Sequence, residues 1–153
     1  MRGILQIFMP NPQTKTLVVD TNIWISSMIE AETFHYESKR IIARHITTGF
    51  TIVFLPPVII EIINILTRHG WSRQSVNREV HTLLSIKNTR VASIENNLLF
   101  EQAINLSIKQ NIRSQDFLIL VYCQLIKPDK FVTFDKKLQS IFRQINSNKD
   151  GNR

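Results

Sequence analysis

Residues 16–22 read Thr-Leu-Val-Val-Asp-Thr-Asn, a short apolar run that ends at a carboxylate. Apolar and β-branched residues bounded by polar ones predict a buried β-strand over 16–19, with Asp20 directly after it. Residues 130–134 read Lys-Phe-Val-Thr-Phe and are followed by Asp135, which repeats the pattern near the other end of the chain. The sequence therefore predicts two strands that each end at an aspartate.

Strand-like and helix-like segments alternate between these two stretches. Short apolar runs predict further strands over 51–54 and 89–93. Helical spacing of apolar residues, with proline and glycine at the ends of segments, predicts helices over 23–29, 34–48, 56–67, 76–84, 95–110 and 114–126, and one more after Asp135. Because strands joined by helices form parallel sheets with helices on both faces, the predicted fold class is α/β.

Length and composition predict one folded domain. The chain has 153 residues, of which 43% are hydrophobic and 20% charged, so a disordered chain is excluded. A single cysteine, Cys123, excludes a disulfide framework and a cysteine-based zinc site, and it fits a reducing cytoplasm. We expect a loosely held lead-in over 1–14, the folded domain over 15–146 and a frayed tail over 147–153.

The sequence carries no signal for a membrane. Its longest apolar run, 117–123, is far shorter than the ~18 residues that a membrane-spanning helix needs. Residues 1–10 form a weakly apolar, broken stretch without a small-residue cleavage site, which argues against a signal peptide. We therefore expect a cytoplasmic protein that has no membrane partner.

Four acidic residues from separate segments are predicted to meet at one edge of the sheet. Asp20 and Asp135 each follow a strand directly. Glu61 lies one to two turns into the helix after the second strand, and Asp116 lies in the first turn of the helix that precedes the last strand. These positions all fall at the edge where parallel strands end, which is where open α/β sheets bind their ligands.

Each acid also has a structural explanation that involves no ligand. Asp20 and Asp135 could cap the helices that follow them, and Asp116 could favour the dipole of its helix. Glu61 is harder to explain in this way, because its neighbours over 58–66 are nearly all Ile, Val or Leu. A carboxylate in such surroundings needs a cation or a hydrogen bond to compensate it.

A cluster of four carboxylates favours a cation site. Carboxylates packed together repel, so some must be protonated or a cation must lie among them, and oxygen ligands suit Mg²⁺ or Mn²⁺. Setting aside these 4 of the 12 acidic residues leaves 8 against 19 Lys and Arg, a formal charge of +11. An acidic pocket in a basic surface is suited to a phosphodiester substrate.

These residues resemble a known family. Residues 17–22 resemble the opening motif of PIN-domain ribonucleases, a hydrophobic strand followed by Asp-Thr-Asn. Residues 56–62 (Pro-Pro-Val-Ile-Ile-Glu-Ile) resemble their second motif. Residues 114–120 (Ser-Gln-Asp-Phe-Leu-Ile-Leu) and 131–138 (Phe-Val-Thr-Phe-Asp-Lys-Lys-Leu) resemble the paired ending. The motifs keep the family's order across 16–142, and the size of the chain looks most like that of the VapC-like toxins of toxin–antitoxin operons.

The resemblance implies a fold and an activity. The fold is a three-layer α/β/α sandwich with a mostly parallel sheet of four to five strands. The activity is that of an endoribonuclease that depends on Mg²⁺ or Mn²⁺, with RNA as substrate, an antitoxin as partner and a homodimer as the assembly. The catalytic and metal-binding residues that it implies are Asp20, Glu61, Asp116 and Asp135. The supporting polar residues that it implies are Asn22 and Thr133.

Other functions and roles stay open. Asp20 could instead be the covalent nucleophile of another α/β phosphohydrolase, although Asn22 stands where such enzymes want a second Asp. The acid pocket could also belong to a binding module that does no chemistry. Lys136 and Lys137 are candidates for contact with backbone phosphates, whereas core packing is favoured over base stacking for Trp24. The apolar helix over 58–66 predicts burial on one side and a dimer or antitoxin contact on the other.

Overall fold

A computed structural model describes residues 14–107 and 114–147, and strands and helices alternate through them. The elements in chain order are β1 (Thr16–Val19), α1 (Thr21–Met28), α2 (His35–Thr47), β2 (Thr51–Phe54), α3 (Pro56–Arg68), α4 (Arg73–Leu84), β3 (Thr89–Val91), α5 (Asn96–Ser107), α6 (Ser114–Ile126), β4 (Lys130–Val132) and α7 (Lys136–Ser147). The predicted lead-in over 1–14 and tail over 147–153 lie almost wholly outside the described residues, so they stay predictions.

The four strands of the described residues form one parallel sheet in the order β3-β2-β1-β4. The predicted α/β fold class, with its parallel sheet flanked by helices, is confirmed. β1 is central because β2 pairs with one side of it and β4 with the other. The order of strands along the chain therefore reverses between β1 and β4, and parallel sheets bind ligands at such a reversal, beyond the ends of the strands.

The core lies around β1, which is buried along its whole length. Side chains of α6 from Ile119 to Cys123 are buried with it. Trp24 of α1 is buried as well, and its ring stacks on that of Phe54 with 4.9 Å between centroids. The core packing favoured for Trp24 is thus what the structure shows. No helix of residues 14–107 and 114–147 is long and apolar enough to cross a membrane.

The bounds of some elements differ from the predicted ones near the ends of the strands. α1 begins at Thr21 and not at residue 23, because the side chain of Asp20 accepts a hydrogen bond from the Thr21 backbone N–H and caps the helix. β4 ends at Val132 and not at residue 134, and β3 ends at Val91 and not at residue 93. The residues after β4 are held instead by side-chain hydrogen bonds, which build the site described next.

Candidate acidic site at the carboxyl edge of the sheet

Asp20 lies at the carboxyl edge of the sheet, the edge at which the four strands end. Its backbone N–H donates to the carbonyl of Val132 at 2.9 Å, so the pairing of β1 with β4 continues one residue past β1. The side chain is buried, with only 5% of its surface exposed. Oδ1 accepts from the Thr21 N–H at 2.8 Å, and Oδ2 accepts from the Thr133 hydroxyl at 2.6 Å. The fold therefore fixes both oxygens of this carboxylate.

Thr133 connects Asp20 to two other predicted site residues. Its Oγ1 accepts from Asn22 Nδ2 at 3.1 Å and from the Asp135 N–H at 3.0 Å. With two donors aimed at this oxygen, the hydroxyl proton is directed to Asp20 Oδ2. Asn22 Oδ1 in turn accepts from the Phe134 N–H at 3.4 Å, which sets the orientation of the amide. Asn22 and Thr133 thus lie in one hydrogen-bonded network with Asp20.

Glu61 is joined to Asp20 through Thr21. The Thr21 hydroxyl donates to Glu61 Oε2 at 2.7 Å, while its backbone N–H donates to Asp20 Oδ1. This contact brings α3 to the start of α1 across 40 residues of sequence. It supplies the hydrogen bond that the apolar surroundings of Glu61 require. Sequence reasoning missed Thr21, although a hydroxyl directly after a strand-ending Asp was the available signal.

Electrostatics bring Asp116 into the same group. Burial raises the pKa of Asp20 from 3.8 to about 6, and the hydrogen bonds from Thr133 and Thr21 act against that rise. The neighbouring charges of Glu61 and Asp116 raise the pKa further. These two carboxylates, from α3 and the first turn of α6, are therefore close enough to repel Asp20. Three acids remote in sequence converge at this edge.

Asp135 also lies at the carboxyl edge, but its side chain caps a helix. Oδ1 accepts from the Leu138 N–H at 3.0 Å and caps the first turn of α7. The backbone N–H of Asp135 donates to Thr133, so the residue is tied to the network around Asp20 through its main chain. Lys136 and Lys137 follow it and are exposed at the start of α7. Their predicted phosphate contact stays a prediction.

The donor chemistry of the site fits a hard divalent cation. Asp20, Glu61 and Asp116 offer carboxylate oxygens, and a cation would relieve the repulsion that the charges of Glu61 and Asp116 exert on Asp20. As the side chains stand, no three Asp, Glu, His or Cys residues among 14–107 and 114–147 lie in a metal-ligating arrangement. Burial and the charge of Asp20 raise the pKa of Cys123, so this thiol stays protonated and is not a thiolate ligand.

A parallel α/β domain with a buried aspartate, and further carboxylates near it, at the switch between two strands is the class of protein that this fold and site define. The family model of the PIN domain matches residues 17–143 of the chain. The chain belongs to the PIN domain family. No curated protein sequence matches it.

Solved structures of two toxin systems share the fold. The toxin VapC20 of Mycobacterium tuberculosis, which cleaves the sarcin–ricin loop, is 19% identical, with a TM-score of 0.66 over 82% of this chain and 94% of that one. VapBC2 of Rickettsia felis, bound to a DNA fragment from its promoter, is 17% identical, with a TM-score of 0.58 over 82% of this chain and 92% of that one. At these identities the likeness concerns the fold.

Proposed function

We propose that this protein is an endoribonuclease that hydrolyses RNA phosphodiester bonds and depends on Mg²⁺ or Mn²⁺. The observation that carries the proposal is the buried Asp20 carboxylate at the carboxyl edge of the sheet. Its pKa is raised to about 6 chiefly by burial and further by the charges of Glu61 and Asp116, and Glu61 is tied to it through Thr21. A cluster of carboxylates destabilises the folded protein when no cation is bound, and it can bind a catalytic cation. Membership of the PIN domain family supports the same activity.

The carboxylates of Asp20, Glu61 and Asp116 would hold the cation, and Asp135 would complete the site from the end of β4. A bound divalent ion supplies a water nucleophile near neutral pH and stabilises charge on phosphate oxygens. The chain's own contribution is orientation. Thr133 and Thr21 fix the two oxygens of Asp20, and Thr21 also fixes one oxygen of Glu61. Asn22 holds Thr133 in place from the start of α1.

We further propose that the protein is the toxin of a toxin–antitoxin pair and acts in the cytoplasm. The fold likeness to VapC20 and to VapBC2 supports this role. α3 is buried on one side through Val58, Ile62 and Leu66, while Ile60 and Ile63 are exposed on another. Exposed isoleucines on a helix suit a second protein surface, either a second copy of this chain or an antitoxin.

The test uses purified protein, single-stranded RNA and Mn²⁺. We expect the wild-type protein to cleave the RNA and the cleavage to stop when EDTA is added. Asp116→Asn should abolish cleavage while shifting the melting temperature by no more than a few degrees. Glu101→Gln on α5 is the matched control, because it removes an exposed carboxylate outside the acidic site. Calorimetric titration of Mn²⁺ into both variants should show binding lost only in Asp116→Asn. Wild-type protein that binds Mn²⁺ but cleaves no RNA would refute the nuclease, and protein that binds no Mn²⁺ would indicate a non-catalytic module.

A further inference from the structure

Two phenylalanines form an aromatic pair beside the acidic site. Phe34 is the residue before α2, and 46% of its surface is exposed. Its ring lies 4.7 Å from that of Phe134, measured between centroids, with an angle of 34° between the planes. Phe134 is half-buried and directly precedes Asp135. The pair therefore joins the start of α2 to the end of β4, at the carboxyl edge of the sheet.

The position of this pair is fixed relative to the carboxylates. The Phe134 N–H donates to Asn22 Oδ1, and Asn22 is bonded to Thr133, which donates to Asp20. This network holds the backbone of Phe134, and Phe34 packs on the Phe134 ring. Phe34 is itself 46% exposed, so it presents an aromatic surface to solvent, backed by Phe134, close in the fold to the residues around Asp20.

We propose that the ring of Phe34, backed by Phe134, stacks an unpaired nucleobase of the RNA substrate; the inference rests on the proposed nuclease function. Aromatic rings exposed in a basic groove are the usual platform for single-stranded nucleic acid, since every base has a face that can stack. Lys136 and Lys137 lie within three residues of Phe134 and are exposed, so positive charge for the backbone is at hand. This charge favours RNA over an apolar protein partner as the occupant.

Two other aromatic residues, Trp24 and Phe100, do not offer the same combination of features. Trp24 is buried in the core and has no face for a base. Phe100 on α5 has 64% of its surface exposed, but its ring pairs with no other aromatic ring within residues 14–107 and 114–147. Phe100 is therefore a matched control for Phe34, because both are exposed phenylalanines.

The test measures binding of a short single-stranded RNA that carries 2-aminopurine, whose fluorescence falls when it stacks. Asp116→Asn protein is the background, so that the RNA is not cut. Moving the 2-aminopurine along the RNA should reveal one position that is strongly quenched. Phe34→Ala should abolish the quenching and weaken binding about 5- to 150-fold, the range expected for loss of one stacked base. Phe34→Trp should preserve both, and Phe100→Ala should change neither.

A second variant separates stacking from simple loss of volume. Phe34→Leu keeps apolar packing on Phe134 but has no π face, so it should also lose the quenching while melting at the wild-type temperature. Equal binding and quenching in Phe34→Leu, Phe34→Ala and Phe100→Ala would overturn the inference and leave the nuclease proposal intact if wild-type protein still cleaves RNA. A change in oligomeric mass in Phe34→Ala, with RNA binding unaltered, would assign the ring to a protein contact and also overturn it. Wild-type protein that neither binds nor cleaves RNA would refute both proposals.

Discussion

An aspartate at each edge of the sheet makes the same kind of hydrogen bonds, but the two aspartates have different roles. At the amino edge, where the strands begin, Asp129 Oδ2 accepts from the Thr16 N–H at 2.6 Å and from its hydroxyl at 3.1 Å. At the carboxyl edge Asp20 likewise accepts from a backbone N–H and a threonine hydroxyl. Each aspartate thereby joins elements at opposite ends of the chain.

The surroundings of the two aspartates differ. Asp129 is exposed to water, whereas Asp20 is buried beside two more carboxylates that raise its pKa. An exposed carboxylate that accepts two hydrogen bonds stabilises the folded chain at little cost. A buried one among like charges opposes folding at neutral pH and is retained for a ligand that relieves the repulsion. Asp129 therefore has a structural role, whereas Asp20 belongs to a candidate reactive centre.

The largest expected effect comes from removing charge at one edge and then at the other. Asp20→Asn should reduce RNA cleavage in Mn²⁺ by about 100-fold or more, because it removes an anionic ligand from the site. Asp129→Asn should leave the cleavage rate within about twofold of wild type, since its carboxylate lies at the opposite edge. Initial rates on one RNA substrate decide the matter. Equal losses in the two variants would show that the contrast has no functional meaning.

The next effect concerns stability and pH in metal-free protein. The pKa of Asp20 is about 6 in the folded chain, above its ordinary 3.8, so the folded state binds the proton more tightly than the unfolded state. The contribution of Asp20 to stability is therefore most favourable below pH 4 and falls as the pH rises from about 4 through 6. The loss is on the order of 3 kcal/mol. The charges of Glu61 and Asp116 act on this carboxylate, and its own charge adds to the burial that keeps the Cys123 thiol neutral.

Urea unfolding at pH 4 to 8 measures this loss when wild type is compared with Asp20→Asn, because the other titrating groups largely cancel in the difference. The free energy of unfolding of wild type relative to the variant should fall over that window, and Mn²⁺ at pH 7.5 should restore part of it. The Asp129→Asn protein, carried through the same titration, should follow wild type in the region of pH 6. A difference that does not change with pH would contradict the burial of a charged Asp20.

Much of the acidic site at the carboxyl edge could be predicted from the sequence, whereas the role of Asp129 at the amino edge was not predicted. Asp20 and Asp135 were placed at the carboxyl edge because each follows an apolar run, and parallel strands all end on one side. The convergence of Glu61 and Asp116 with Asp20 follows from the same topology. What the sequence pattern did not separate is capping from ligand binding, since Asp135 caps α7 and Asp20 caps α1 while both lie at the site.

Other features depend on tertiary contacts that no local pattern encodes. Thr21 reaches Glu61 only because α3 packs beside the start of α1, and such a contact spans 40 residues. Phe34 was predicted as the first residue of an amphipathic helix, but its exposure and its contact with Phe134 arise from how α2 meets the end of β4. Trp24, in contrast, was correctly assigned to the core, since a large apolar side chain near a buried strand is usually buried itself.

The smallest effect is expected from substituting the threonine that bonds the aspartate at each edge, Thr21 at the carboxyl edge and Thr16 at the amino edge. Thr21→Val keeps the backbone donor to Asp20 but removes the hydroxyl that holds Glu61 Oε2. Thr21 is buried, with 3% of its surface exposed, and valine has nearly the same shape as threonine. We expect the affinity for Mn²⁺ to fall about 10-fold, in the range known for residues that orient metal ligands. Thr21→Ser, which retains the hydroxyl, should recover it. Thr16→Val removes the hydroxyl that bonds Asp129 and should instead cost about 1 kcal/mol of stability, with Mn²⁺ binding unchanged. Calorimetric titration of Mn²⁺ and urea unfolding are measured on all three variants. If Thr21→Val lowers the free energy of unfolding but leaves the affinity for Mn²⁺ unchanged, Thr21 only supports the fold.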